Sequence, residues 1–232
     1  TRKKRNYHCL NVNLDKGVFH CWHCGWAGGL AEERPMKPAR TYTKPDYVAS
    51  SETVTDSLAR WFDARSISEP VLRRNMIGKG VRYFPQVSEE RPCILFPYLR
   101  GTEVINIKSR TADKLFRMES GAERVLYGLN DIGEVLVWVE GEIDKLSVEE
   151  AGIESCVSVP DGAPAADSKS YANKFDFLDA PELERATQHV IAVDSDAPGV
   201  RLKDELVRRL GRENCLIVEW PSDCKDANEV LC

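Results

Sequence analysis

From Glu134 onward the chain alternates short apolar runs with amphipathic stretches, and this rhythm restricts the fold more than any other feature. Val135–Val139, Cys156–Val159, His189–Val193 and Cys215–Trp220 read as strands. Between them, Asp144–Ala151, residues 167–186 and Val200–Leu210 read as helices, the last behind Pro198-Gly199. Apolar strands separated by helices imply a parallel sheet covered on both faces. Ligands of such sheets sit beyond the carboxyl ends of the strands.

Acidic residues fall at those ends. Glu140 closes the first run, with Glu142 two residues on and Asp144 one helical turn later. Asp194 closes the third, Asp196 lies two residues beyond, and Asp226 follows the fourth. Each acid alone reads equally well as a turn or helix cap. Together, crowded at one sheet edge, they repel unless a cation neutralises them. Hard oxygen donors with room for water suit magnesium, or manganese, which binds through a few carboxylates and substrate phosphates. Two such ions suit phosphoryl chemistry, one polarising the phosphate under attack and the other the leaving group.

Upstream, Val54–Phe62 and Val71–Met76 show helical spacing, then Cys93–Leu99 and Val104–Lys108 form a hairpin across Arg100-Gly101-Thr102. Alternation puts Asn106 and Lys108 on one face of the second strand, with Ile105 and Ile107 on the other. Residues 100–118 carry Arg100, Lys108, Arg110, Lys114 and Arg117 against Glu103 and Asp113. Such cations suit phosphates, although a solvated strand face explains them as well. The net charge of −5 excludes a protein that coats nucleic acid indiscriminately, whereas basic patches ahead of an acidic half fit one holding both phosphates and a divalent metal.

Eight cysteines in a chain with no secretory signal read as thiols or metal ligands. Cys21 and Cys24, in Phe19-His-Cys-Trp-His-Cys-Gly25, are spaced like one half of a zinc ribbon, for which the second ligand pair belongs upstream. Three readings stay open: a ribbon entered part-way, a degraded site completed by His8 or Cys9, and a metal-free segment. Arg2, Lys3, Lys4 and Arg5 with Tyr7, Trp22 and Trp26 would then bind a single strand by charge and stacking, unless the tryptophans only fill the ribbon's core. Residues 31–50, polar and with three prolines, read as a linker.

Val139-Glu-Gly-Glu-Ile-Asp-Lys-Leu-Ser147, Val193-Asp-Ser-Asp-Ala-Pro-Gly199 and Lys225-Asp-Ala-Asn-Glu229 resemble the signature of the TOPRIM domain, which bacterial-type primases, type IA and II topoisomerases and some nucleases share. The first and last resemble the versions in phage and organellar primase–helicases. The resemblance covers about residues 93–230. It implies Glu140, Asp194 and Asp196 as magnesium ligands and Asp144 and Asp226 as supporting acids, with Glu142 a candidate proton acceptor. It implies Lys108, Arg110 and Lys114 as nucleotide or template contacts, Arg117 less directly, and zinc at Cys21 and Cys24.

The fold expected is α/β: a TOPRIM-type parallel sheet flanked by helices (134–232), a small basic α+β subdomain before it (51–133), the linker (31–50) and a β zinc-ribbon fragment (1–30). The activity expected is synthesis of short RNA primers on single-stranded DNA from ribonucleoside triphosphates, in company with a replicative helicase. No phosphate-binding Gly-x-x-x-x-Gly-Lys-Ser/Thr loop marks a motor here. No apolar run is long enough to span a membrane. The cytoplasm of a bacterium or phage-infected cell is the expected compartment, with an organellar matrix second. Two rivals remain, a metal-dependent TOPRIM nuclease and a non-catalytic module that anchors a helicase.

Overall fold

The computed structural model describes residues 9–23, 25–29, 41–45, 54–163 and 171–232, which fall into two units, Thr1–Thr41 and Tyr42–Cys232. In the first, β1 (Leu10–Asn13), β2 (Val18–Cys21) and β3 (Ala27–Gly29) form an antiparallel sheet in that order. Phe19 and Trp26 stack with ring centroids 4.3 Å apart, while Trp22 stays 76% exposed. Of the readings made for this region, those on Cys24, on residues 1–8 and on most of the linker lie outside the described residues.

The second unit opens with two helices. In α1 (Asp56–Asp63), Leu58 and Phe62 are buried one turn apart, and Asp56 sits in the positively polarised first turn. In α2 (Glu69–Arg74), proline stands near the start, where its missing N–H costs nothing. Next comes an antiparallel sheet in sequence order: β4 (Gly78–Phe84), β5 (Glu89–Arg100), β6 (Glu103–Arg110) and β7 (Phe116–Met118). β4 has no counterpart in the sequence reading, because two glycines and two cations break its apolar alternation.

The parallel sheet follows. It comprises β8 (Val135–Val139), β9 (Cys156–Ser158), β10 (Gln188–Ile191) and β11 (Cys215–Ile217), in spatial order β11-β10-β8-β9. Its helices are α3 (Glu142–Glu150), α4 (Ala197–Leu210) and α5 (Ala227–Leu231). Of the segment read as largely helical over 167–186, the described part from residue 171 forms two 3₁₀ stretches, Tyr171–Asp179 and Pro181–Arg185, with a kink at Phe175. The tighter turn fits a stretch interrupted by Pro181.

One apolar cluster joins the two sheets. It runs from Leu58 and Phe62 through Phe96, Tyr98 and Tyr127 to Trp138, Leu146, Leu202 and Leu206. Tyr127 is the hinge of this packing, edge-on to Phe96 at 6.2 Å and to Tyr98 at 5.1 Å. Each such side chain contributes about 1.5–3 kcal/mol when removed from water. Among the described residues no helix is long and apolar enough to cross a membrane.

A charged knot lies under this core. Lys145 on α3 is fully buried; its Nζ lies 2.7 Å from Asp131 Oδ2, donates to Asn75 Oδ1 at 2.9 Å and pairs with Glu149. Arg74 at the end of α2 reaches Asp131 at 2.7 Å and Glu149 at 3.0 Å. Removing one partner of a buried pair strands the others without water. Lys145→Met is expected to cost about 3–5 kcal/mol in urea unfolding. A loss below about 1 kcal/mol would show that α2 and α3 are held by apolar contacts alone.

Candidate active site

The carboxyl edge of the parallel sheet gathers the predicted acids. β8 ends at Val139 and delivers Glu140; the backbone then turns through Gly141 into α3, where a Cβ on Gly141 would lie 2.9 Å from Asp144 Oδ2. The Asp-x-Asp-x-x-Gly spacing has a similar cause. α4 starts so close to the strand end that a Cβ at Gly199 would meet the Asp194 carbonyl oxygen at 2.1 Å, so only glycine fits. Asp196 is the N-cap of α4, Oδ1 accepting from Gly199 N at 2.9 Å, and Asp226 caps α5 by accepting from Glu229 N at 2.9 Å. Capping and site membership coexist here, since a carboxylate has a second oxygen.

The acids influence one another. Burial, then Glu140, Asp226 and Asp196, push Asp194 up to about 7. Burial and the neighbouring Asp226 and Asp194 push Asp144 up to about 8, although Asn228 N donates to its Oδ1 at 3.3 Å. Burial also raises Glu140, with Asp196 adding to the effect, against the Ala163 N–H that donates to Oε1 at 3.1 Å. The other oxygen, Glu140 Oε2, is buried with no hydrogen-bond partner.

An orphaned carboxylate oxygen on Glu140, beside an Asp194 held above its ordinary range, has the chemistry that suits a hard divalent cation. Among the described residues no three His, Cys, Asp or Glu side chains already converge on one point. An edge offering one or two carboxylates at a time, with water and phosphate completing the shell, is the arrangement magnesium uses.

A cleft of about 530 Å³ opens over this edge. Glu140, Asp144 and Asp194 line it together with Lys108, Phe116 and Arg117 of the antiparallel sheet. The predicted cations divide. Lys108, 8% exposed, places Nζ 2.8 Å from Glu142 Oε1 and 3.0 Å from the Pro160 carbonyl. Arg110 is also buried; that burial, and then nearby Arg65, lower its pKa, and its guanidinium lies over Trp61 and Phe116. Lys114 stands exposed at the β6–β7 turn with φ +64°. Arg117 donates to Tyr83 O at 2.8 Å and pairs with Glu119 at 3.2 Å, so its charge is partly spent inside its own sheet.

Glu142, a candidate proton acceptor by sequence, is buried and accepts from Tyr98 Oη at 2.6 Å and Lys108 Nζ at 2.8 Å through one oxygen. That geometry suits a brace. Sequence reasoning missed Tyr98, Arg124 and Phe116. Arg124 reaches Asp161 Oδ2 at 2.7 Å and Asp176 Oδ1 at 2.9 Å, anchoring the loop whose Ala163 N–H holds Glu140. Only the alternation of β6 carried a signal, by placing Lys108 opposite the apolar face. In the first unit, Cys21 Sγ and Cys9 Sγ are 3.6 Å apart.

The raised acids set a sign. Asp194 holds its proton to about 7 when folded, against ~4 when unfolded, so without metal the fold loses stability as pH rises through that window. Asp194→Asn is expected to stabilise the metal-free protein at pH 8 by ~1 kcal/mol, the figure discounted for partial exposure. Magnesium should raise the melting temperature of the wild type and not of the variant. Equal stabilisation of both by magnesium, in thermal melts with and without chelator, would remove Asp194 from the metal site.

Residues 137–231 match the family described as Toprim-like. The chain is 39% identical over 220 residues to an Arabidopsis thaliana protein named Twinkle homolog protein, chloroplastic/mitochondrial, covering 88% of this chain and 30% of that one. It is 40% identical over 195 residues to the Arabidopsis thaliana Primase homolog protein, covering 78% and 56% respectively. The chain thus spans under a third of the first relative's length and just over half of the second's. The primase fragment of the bacteriophage T7 primase-helicase shares the fold, with a TM-score of 0.59 and 23% identity over 92% of this chain and 85% of that one.

Proposed function

We propose that this chain, whose residues 137–231 match the Toprim-like family and which resembles a Twinkle homolog and a primase homolog, synthesises short RNA primers on single-stranded DNA during DNA replication. One observation carries this reading: a single cleft is lined by strand-end acids together with Lys108 of β6 and Arg117 of β7. Polymerisation of nucleotides needs both, acids for a metal and cations for phosphates and template.

In this reading the 3′-hydroxyl of one ribonucleotide attacks the α-phosphate of a second, and pyrophosphate leaves. Magnesium, when bound, supplies the positive charge that the transferring and departing phosphates require. Glu140, Asp194 and Asp196 hold that ion, with Glu140 oriented by the Ala163 N–H. Asp144 and Asp226 stand behind them, Asp226 fixed as a helix cap. Lys108 and Arg110, with Lys114 exposed at the β6–β7 turn, offer cations to nucleotide and template, and Glu142 and Tyr98 hold Lys108 in place. Zinc at Cys21 and Cys24, completed by a second ligand pair, belongs to the same proposal.

The name of the T7 primase-helicase supports a helicase as partner, and the relative named chloroplastic/mitochondrial supports an organelle as the compartment, in place of the bacterial cytoplasm that sequence alone favoured. Labelled ribonucleotides incubated with mixed-sequence single-stranded DNA and magnesium should give short RNA. Asp194→Ala should reduce the yield roughly 100-fold or more. Cleavage of the DNA in the absence of nucleotides would instead favour the nuclease. Product from the variant at the wild-type rate would dissociate synthesis from these acids.

A further inference from the structure

Phe116 begins β7, the edge strand of the antiparallel sheet, directly opposite Arg110 in register. It is 43% exposed, and it is absent from the apolar clusters found among the described residues. Its backbone is fixed, since its carbonyl accepts from Gln86 Nε2 at 2.8 Å. A phenyl ring facing a charged cleft contributes little to the core, so its placement calls for another account.

Two cations flank the ring. Lys108 Nζ lies 5.4 Å and Arg110 Cζ 5.9 Å from its centroid, and both of these side chains are almost fully buried. On the far side of Arg110 the pattern continues: its guanidinium is 5.0 Å from the Trp61 ring, and Arg65 lies over the same ring at 3.5 Å. The result is a row in the order Arg65, Trp61, Arg110, Phe116, Lys108, ending where Lys108 meets Glu142. Alternating cations and aromatic rings recognise a phosphate-bearing ligand that also has a flat π-system. Within this row Phe116 is the ring that lines the cleft with Glu140, Asp144 and Asp194.

We propose that Phe116 is the stacking platform for a nucleobase in the cleft, with Lys108 and Arg110 beside it taking the phosphate charge. This rests on the reading of the cleft as a nucleotide-polymerising site. A base stacked there brings its own phosphates towards the acids, because the ring and the carboxylates share one cavity of about 530 Å³. Stacking is indifferent to which base is present, as every base has a π-face. The base belongs either to an incoming nucleotide or to a nucleic-acid strand.

The test measures binding without turnover, in calcium, for wild type, Phe116→Ala, Phe116→Leu and Phe116→Trp. The probes are ATP, inorganic triphosphate and a fluorescein-labelled 12-nucleotide single-stranded DNA. Alanine and leucine should weaken binding about tenfold for the probe whose base stacks, and tryptophan should restore it. Leucine keeps the apolar bulk, so its failure isolates the π-face from folding. Loss for ATP with triphosphate unaffected assigns an incoming nucleotide, and loss for DNA alone assigns a strand. Equal losses for ATP and triphosphate, or no loss for any probe, overturn the platform while leaving the functional reading intact. A wild type that binds neither ATP nor DNA removes the functional reading and the platform together.

Discussion

The contact between Lys108 and Glu142 fixes the relation between the two sheets, and the geometry of the cleft follows from it. Lys108 comes from β6 and Glu142 from the first turn of α3, and both side chains are largely buried, meeting solvent only through the cleft they line. A buried charge without a partner is strongly unfavourable, so neither sheet can slide without stranding one of them. Tyr98, one strand over, donates to the same Glu142 oxygen at 2.6 Å, and burial and that carboxylate hold its hydroxyl well above the usual phenol range. Around this polar point the packing is apolar, with Phe96, Tyr127, Trp138 and Leu146 filling the space. The apolar contacts supply most of the free energy, and the ion pair selects one register from the many such a surface allows.

The acid edge has a different physics. Its carboxylates sit where backbone geometry forces them, at strand ends followed at once by helix starts. Gly199 permits α4 to begin against the Asp194 carbonyl, and Asp196 and Asp226 are tied to amide groups of the helices they begin. Burial, and then the neighbouring carboxylates, hold Asp194 up at about 7 and Asp144 at about 8. Two elements thus have opposite demands. The knot around Lys145 is closed and neutralised, whereas the strand-end acids are left under-neutralised at the mouth of a cleft.

Much of this was legible in the chain. The four apolar runs emerge as the four parallel strands, since a strand covered on both faces must be apolar throughout, and the acids that end them could be placed at one edge by topology alone. Other parts left no local trace. β4 has glycine at its first and third positions, and its role as a sheet member is decided by pairing with β5. Lys145 lies in an ordinary helical pattern, and nothing near it in sequence announces full burial, because its partners Asn75 and Asp131 come from elements 70 and 14 residues away. The cations of residues 108–117 show the same boundary: their charge could be read, but not that Arg117 spends part of its own on Tyr83 and Glu119. Phe116 was hidden for a related reason, as exposure beside two buried cations is a tertiary property.

The pairing of Lys108 also bears on why the acids remain available. A lysine inserted among strand-end carboxylates would neutralise them internally and compete with any metal. Lys108 has its ammonium on Glu142 and on the Pro160 carbonyl, so it lowers the repulsion at Glu140 only from a distance. Lys225, the other cation near the edge, is 3.8 Å from Asp226 and 4.0 Å from Glu229, and it too stops short of Asp194 as a direct partner. Lys108, Arg117 and Lys225 are thus each assigned to an acid other than Glu140 and Asp194. The arrangement keeps positive charge within reach of phosphates while leaving the carboxylate oxygens that suit a metal unneutralised, and a chain of net charge −5 achieves this by where its charges are placed, not by their sum.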